Sequence, residues 1–188
     1  MYIFEINPNT LKGSIGPGMV PSKFWLLTEL SKIKNNFDTI YILGSWYGVM
    51  GAMIVMDHRL SYEKIINVET NRRYLKTGQN LIAMAGDANT ESMLKDANKL
   101  DYRQLDTDGL VINTSCGNIP GTKWFQNIPS GTLVALQGRN NDPGATNQFG
   151  SLEEFVNTYI LGNTLYSNNK QFKDPETVYD CYMVIGTK

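Results

Sequence analysis

Residues 40 to 48 read IYILGSWYG, an apolar run that stops at Gly44, then a serine and two large aromatic rings before Gly48. Apolar residues at consecutive rather than alternate positions suit a strand covered on both faces. A glycine at its end suits a tight turn where backbone must approach something closely. This stretch decides the fold class, because the same kind of run recurs along the chain. TIYIL (39–43), KIINV (64–68), SML (92–94), LVINT (110–114) and TLVALQ (132–137) are all short and apolar. Between them lie stretches with helical patterning: VMGAMIVMDHRL, NRRYLKTGQNLIAMAG and the shorter GTKWFQN. Strand alternating with helix predicts an α/β protein with an open, Rossmann-like, mostly parallel sheet and helices on both faces.

The two ends differ from this middle. GSIGPGMVP (13–21) closes a short N-terminal segment. Ser22 is then placed to cap a helix carrying Leu26, Leu27, Leu30, Ile33 and Phe37 on one face, so that residues 1–38 form a segment and helix packed on the sheet. Near the C-terminus, SLEEFVNTYIL (151–161) predicts a helix with Ser151 as cap and Glu154 completing a capping box. TLYS and YDCYMVIG come next with no helix between them, which predicts a closing antiparallel hairpin.

Composition narrows the function classes. The chain of 188 residues is 41% hydrophobic, enough for one domain over 1–188 with an ordinary core. A net charge of -1 and a pI near 5.8 give no strong nucleic-acid signal, since a protein gripping a phosphate backbone carries a broad basic face. Two cysteines and one histidine supply neither a disulfide framework nor a metal-ligand cluster, which fits a reducing cytoplasm and no metal. No run reaches the roughly 18 apolar residues of a membrane span.

In open α/β sheets, ligands bind beyond the carboxyl ends of the strands at the switch in strand order. Gly44 sits at that position after the first strand, and Gly48 and Gly51 lie further on, where helix and sheet approach. The spacing G-x-x-x-G-x-x-G is not the pyrophosphate pattern G-x-G-x-x-G, so a diphosphate is disfavoured. Glu69 ends the second strand, where a carboxylate can accept from two vicinal hydroxyls of a ribose, with Asn71 close by. After the third strand, Asp96 and Ala97 suit an exocyclic amine. The triplet DAN occurs twice, and the copy at 96–98 is preferred because SML precedes it. A glycine turn or a solvated acid alone is a commonplace; the order and spacing of the series carry the reading.

LGSWYG, NVETN, DANKLDY, LVINTSCGNIP with KWF, and IPSGTLVALQ together resemble the class I SAM-dependent methyltransferases, and in particular small methyltransferase-like proteins of tailed bacteriophages. The resemblance implies a seven-stranded sheet with a reversed last strand and S-adenosyl-L-methionine (SAM) across the strand ends, in a host cytoplasm. Gly44, Ser45, Trp46, Tyr47 and Gly48 would pass its methionine part, Glu69 with Asn71 its ribose, and Asp96 with Ala97 its adenine. Trp46 and Tyr47 could face the sulfonium through their rings, worth about 0.5 to 2 kcal/mol. Partners would be SAM or S-adenosylhomocysteine and an unidentified methyl acceptor. Asn113, Ser115 and Cys116 lie at the expected reaction edge, with Asn113 also near the cofactor. The resemblance leads one to expect an acid and a histidine after NTSC, where this chain has Gly117 and Asn118. An inactive or purely SAM-binding phage auxiliary protein is the alternative. Cys116 reads as a loop thiol rather than a nucleophile, Lys23 as an exposed helix-start lysine rather than a partner for a carboxylate, and His58 as a residue at a helix end.

Overall fold

The computed structural model describes residues 14–86, 89–102, 105, 108–142, 144–175 and 177–188. Most of the N-terminal segment, the Asp87 and Ala88 of the first DAN triplet, and Pro143 lie outside the described residues.

In chain order the elements are α1 (Met19–Ile33), β1 (Asn36–Leu43), α2 (Val49–Asp57), β2 (Ser61–Glu69), α3 (Arg72–Met84) and β3 (Thr90–Leu94). After a 3-10 turn (Ala97–Lys99) come β4 (Leu110–Asn113), α4 (Lys123–Gln126), β5 (Leu133–Arg139), α5 (Leu152–Thr158), β6 (Asn163–Lys173) and β7 (Val178–Thr187). Every predicted run forms its strand, with ends displaced by at most three residues except at TLYS (164–167), whose strand continues six residues further to Lys173. Among the described residues no helix is long and apolar enough to cross a membrane.

Seven strands make one sheet in the order β3-β2-β1-β4-β5-β7-β6, with β7 antiparallel to both of its neighbours. The predicted α/β sheet with its reversed last strand and closing hairpin is therefore what forms. The consecutive apolar runs are explained by burial on both faces. On one face Ile40, Ile42, Ile65, Ile112 and Ile185 pack with α1 and α2, while on the other Tyr41, Leu43, Val111, Val134 and Val184 meet Trp124, Phe155 and Tyr159. Each such side chain contributes about 1.5–3 kcal/mol when fully buried.

Two expectations at the N-terminal helix are corrected. It starts at Met19 with Gly18 as N-cap, and Ser22 lies within it, its hydroxyl donating to the Met19 carbonyl at 2.9 Å. The helix also stops at Ile33, so Phe37 enters the core from β1 rather than from α1. At α5 the cap is as read: Ser151 Oγ accepts from Glu154 N at 3.1 Å, while the Glu154 carboxylate accepts from Gly150 N at 2.6 Å, one residue before the cap. His58 is the C-cap of α2, in the left-handed region at φ 56°.

Two packing details shape the carboxyl edge of the sheet. A Cβ on Gly48, whose φ is +71°, would lie 2.7 Å from Gly78 Cα, so the start of α2 touches α3 backbone to backbone. Asn67, on β2 beneath Gly51, is 1% exposed, and among the described residues neither its amide oxygen nor its nitrogen has a hydrogen-bond partner.

The chain runs β1, β2, β3 outward in one direction and returns to place β4 on the other side of β1. Two successive loops thus leave the sheet in opposite directions between β1 and β4. A crevice opens there, at the carboxyl ends of the strands.

Candidate functional site

The turn after β1 is wound left-handed at Gly44 (φ 59°), Trp46 (φ 49°) and Gly48 (φ 71°). For a residue as bulky as tryptophan this is an uncommon backbone, held here by its neighbours. Ser45 N donates to the Val68 carbonyl at 3.0 Å, Gly48 N to the Ser45 carbonyl at 2.8 Å, and Trp46 N to Glu69 Oε2 at 2.9 Å. The second oxygen of Glu69 accepts from Thr70 N at 2.8 Å and Asn71 N at 2.9 Å. Three backbone donors fix the carboxylate, and the Thr70 hydroxyl adds a fourth contact to that second oxygen at 3.3 Å, so Oε2 is the less occupied of the two.

Beyond these strand ends lies a cavity of about 610 Å³. Of the sequence-predicted residues, Gly44, Trp46, Glu69, Asp96, Ala97, Ser115 and Cys116 line it. Asp96 Oδ1 caps the 3-10 turn by accepting from Asn98 N at 2.9 Å, and Oδ2 makes no hydrogen bond to a described residue. Ser115 Oγ donates to the Gly44 carbonyl at 3.3 Å, closing β4 onto the β1 turn.

Ser45, Tyr47, Gly48, Asn71 and Asn113 support this wall from behind. Ser45 and Gly48 are buried turn residues. Tyr47 is 2% exposed and packs in the core, 4.9 Å from the Tyr74 ring; the second ring at the cavity is Tyr74, beside Trp46. Asn71 spends its side-chain oxygen on Arg73 N and Tyr74 N as the cap of α3. Asn113 is fully buried, its Oδ1 accepting from Ser115 N at 2.8 Å, so it shapes the turn and does not line the cavity. Cys116 is buried beneath the loop, its thiol donating to the Asn113 carbonyl at 3.4 Å. Burial pushes that thiol well above its ordinary pKa, the opposite of what a nucleophile needs.

Gly117 and Asn118 have an evident local role. The Gly117 carbonyl accepts from Thr146 N at 2.8 Å and Asn147 N at 2.9 Å, and a Cβ there would lie 3.2 Å from the Asn147 carbonyl. Asn147 Nδ2 in turn donates to the Cys116 and Ile119 carbonyls at 3.0 and 2.8 Å. Asn118 donates to Asp142 Oδ2 at 3.2 Å, so an acid reaches this loop from after β5.

The far end of the cavity was not read from the sequence. Lys23, expected at the surface, is 7% exposed and lines the cavity with Gln137, Arg139, Asp142, Tyr179 and Cys181. Burial pulls its ammonium down to about 8, against a smaller raising influence of Cys181, whose own thiol burial pushes up to about 12. Arg139 is committed to Asp142 at 2.6 Å and stands 3.7 Å from Asp174. Tyr179 has a buried hydroxyl with no acceptor for its proton among the described residues. These residues lie far apart in the chain and carry no local motif; the apolar spacing around Lys23 was the one available signal.

No protein-family model matches the chain, and no curated protein matches it by sequence. Solved structures do match in fold. The YcgJ protein of Bacillus subtilis is 10% identical, with 88% of this chain and 98% of that one covered at a TM-score of 0.67. The N-methyltransferase NodS of Bradyrhizobium japonicum is 9% identical, covering 89% and 96% at 0.65. A SAM-dependent methyltransferase of Geobacter sulfurreducens, solved with S-adenosylhomocysteine, is 11% identical, covering 89% and 91% at 0.62. At these identities the likeness is one of fold: the chain has the Rossmann-like methyltransferase architecture.

Proposed function

We propose that the chain, taken over 1–188 as one domain, is a SAM-dependent methyltransferase acting on a small acceptor. The observation that carries this reading is convergence on one cavity. The left-handed turn at Gly44, the Glu69 carboxylate, Asp96 with Ala97, and the Ser115 loop all line it at the switch point of a methyltransferase-type sheet. Glu69, held by three backbone donors, would take the ribose hydroxyls, and the free Oδ2 of Asp96 would accept from the adenine amine. Trp46 and Tyr74 present rings beside the Gly44 turn, where a cation would be attracted to their faces. A neutral turn without phosphate-binding spacing fits a sulfonium cofactor better than a dinucleotide.

SAM supplies an electrophilic methyl group for in-line displacement. The protein's share is positioning. Ser115 sits beside the Gly44 turn with its hydroxyl already engaged, which suits a wall residue. Asp142, joined to Asn118 and Arg139, brings a carboxylate near this edge from the β5 side.

A second reading rests on the same loop. Gly117 and Asn118 stand where the resemblance leads one to expect an acid and a histidine, and both serve to seat residues 142–147. A chain that binds SAM without transferring its methyl group, as a phage auxiliary protein, has that support. The phage origin and host cytoplasm rest on the sequence resemblance alone.

Calorimetric titration with SAM, S-adenosylhomocysteine and NAD tests cofactor choice. The first two are expected to bind, and tight NAD binding without them would end the reading. Methyl-labelled SAM incubated with small-metabolite, nucleic-acid and protein fractions of a bacterial lysate then separates enzyme from binding protein. Label is expected in the small-metabolite fraction and should survive Cys116→Ser. Binding with no labelled fraction would establish the non-catalytic reading.

A further inference from the structure

Lys23 is the least explained charge in the molecule. Its ammonium is buried against the cavity, and among the described residues it makes no hydrogen bond or ion pair. Taking an ammonium out of water costs several kcal/mol unless an anion or well-placed acceptors compensate. The nearby acids are already engaged. Asp142 receives Arg139 at 2.6 Å and Asn118 at 3.2 Å. Asp174 faces Arg139 and accepts from Gly18 N at 3.0 Å. Cys181, the other group beside Lys23, holds its thiol proton at neutral pH because burial pushes it up to about 12.

The position is also held firmly. Gln137 Nε2 donates to the carbonyl of Ser22 at 2.9 Å, which fastens the turn before Lys23 to β5. A second donor lines the same end: the Tyr179 hydroxyl, buried on β7, finds no acceptor for its proton among the described residues, since the Arg139 guanidinium beside it can only donate. Two donors, one cationic, thus face a cavity whose nearby carboxylates, Asp142 and Asp174, are engaged with Arg139 and backbone or amide donors.

We infer that the end of the cavity between α1 and β7 binds the anionic group of a small methyl acceptor, a carboxylate or a phosphate, with Lys23 as counter-ion and the Tyr179 hydroxyl as a second donor. That the bound molecule is a methyl acceptor rests on the methyltransferase reading; the anion site itself does not. Distance separates this end from the nucleoside end. Glu69 closes β2 and Gln137 lies on β5, three strands along, which at about 4.8 Å per strand is roughly 14 Å. A ribose at Glu69 leaves the Gly44 turn and the Ser115 loop between itself and Lys23. The cavity volume of about 610 Å³ lies within the range of about 300–1,000 Å³ usual for ligand pockets. One buried and unpaired cation, beside an Arg139 already committed to Asp142, fits one charged group, not the run of phosphates of a nucleic acid.

The site assigns a selectivity. Neutral molecules of the same shape leave the ammonium uncompensated, so they are rejected, in the way that polar sites reject analogues lacking the matching group. The probes are inorganic phosphate and acetate, titrated against protein carrying 13C-labelled lysine and followed at the Lys23 side chain by NMR, with and without saturating S-adenosylhomocysteine. Acetamide is the neutral control.

Saturable binding of phosphate or acetate at Lys23 is expected, with acetamide silent; which anion binds more tightly tells carboxylate from phosphate. Lys23→Met should weaken anion binding at least tenfold when followed by calorimetry, and Tyr179→Phe by roughly three- to tenfold. Both variants should keep S-adenosylhomocysteine affinity within about threefold, and circular dichroism should show both folded. Equal anion binding by wild type and Lys23→Met would overturn the inference, as would no anion binding by the wild type. A tenfold loss of S-adenosylhomocysteine affinity in Lys23→Met would overturn it differently, by giving Lys23 to the cofactor. Phosphate binding without S-adenosylhomocysteine binding would remove the methyltransferase reading and leave the anion site standing.

Discussion

Trp46 N donates to Glu69 Oε2 at 2.9 Å, so the turn after β1 and the acid after β2 hold each other in place. The same carboxylate receives Thr70 N and Asn71 N, which open the connection to α3. One side chain therefore organises two loops of the cavity before any ligand arrives.

Replacing Glu69 should consequently cost twice. Glu69→Ala is expected to lower the stability of the ligand-free protein by about 1–2 kcal/mol, because three backbone donors lose a charged acceptor. It should also weaken S-adenosylhomocysteine binding at least tenfold. Urea unfolding and calorimetry on the same preparation measure the two effects. A variant that is destabilised yet binds normally would make Glu69 a structural acid only.

Gly48 and Gly78 meet backbone to backbone. A methyl group at Gly48 would sit 2.7 Å from Gly78 Cα at a φ of +71°, and one at Gly78 would sit 3.1 Å from Gly48 N. Gly48→Ala is expected to cost at least about 2 kcal/mol, combining left-handed strain with overpacking. Gly78→Ala, free of the strain, should cost less. Chemical denaturation ranks them, and an equal or reversed order would mean that crowding alone sets the cost.

Asn67 suggests a substitution in the stabilising direction. Its amide is buried on β2 with both polar atoms unpaired, near Ile82 and Gly51. Asn67→Leu removes both unsatisfied groups at similar volume and should raise stability by about 1–3 kcal/mol. A thermal midpoint unchanged or lowered would show that the amide is compensated in solution.

The pH dependence at Lys23 has a definite sign. Its pKa falls from 10.5 in the unfolded chain to about 8 in the fold, so between these values the unfolded chain binds more protons and stability rises with pH. Below about 8 the buried charge destabilises the ligand-free protein. At about 1.4 kcal/mol per pH unit the ceiling is roughly 3 kcal/mol. Lys23→Met should therefore be the more stable protein at pH 7, with its advantage shrinking from pH 8 towards 10.5. Cys181, Tyr179, Arg139, Asp142 and Asp174 surround the site; burial raises Cys181 and Tyr179 to about 12, so their effects run the other way and largely cancel in the difference between the two proteins. A difference flat across this range would mean that Lys23 keeps its ordinary pKa.

The sheet was legible because each strand writes its burial into a few consecutive residues, as IYIL and KIINV do. The near wall of the cavity was legible for a related reason: Gly44, Glu69 and Asp96 each stand at or just past the end of a strand, so chain position translates into spatial position. Side-chain direction was not. Tyr47 and Trp46 are neighbours, yet one enters the core and the other lines the cavity, because Trp46 takes a left-handed backbone that no local pattern announces. Asn113 looked like a reacting-edge residue but turns inward to hold Ser115 N. Lys23 resembled any lysine in a first helical turn. Only the return of β5 and β7 beside α1 buries it, and that contact joins residues more than a hundred positions apart.

The reversed strand has a temporal consequence. β7 is synthesised after both β5 and β6, yet it settles between them rather than at an edge, and the segment just before it supplies the carboxylate that accepts from Gly18 N at the start of α1. The nascent chain can assemble β1 to β5 and hold a Gly44 turn facing Glu69, while the Lys23 end stays without its Tyr179 and Cys181 wall until β7 emerges. Synthesis thus completes the Gly44 and Glu69 end before the Lys23 end. A chain halted before β7 would carry half a cavity and two strand edges, on β5 and β6, looking for a partner.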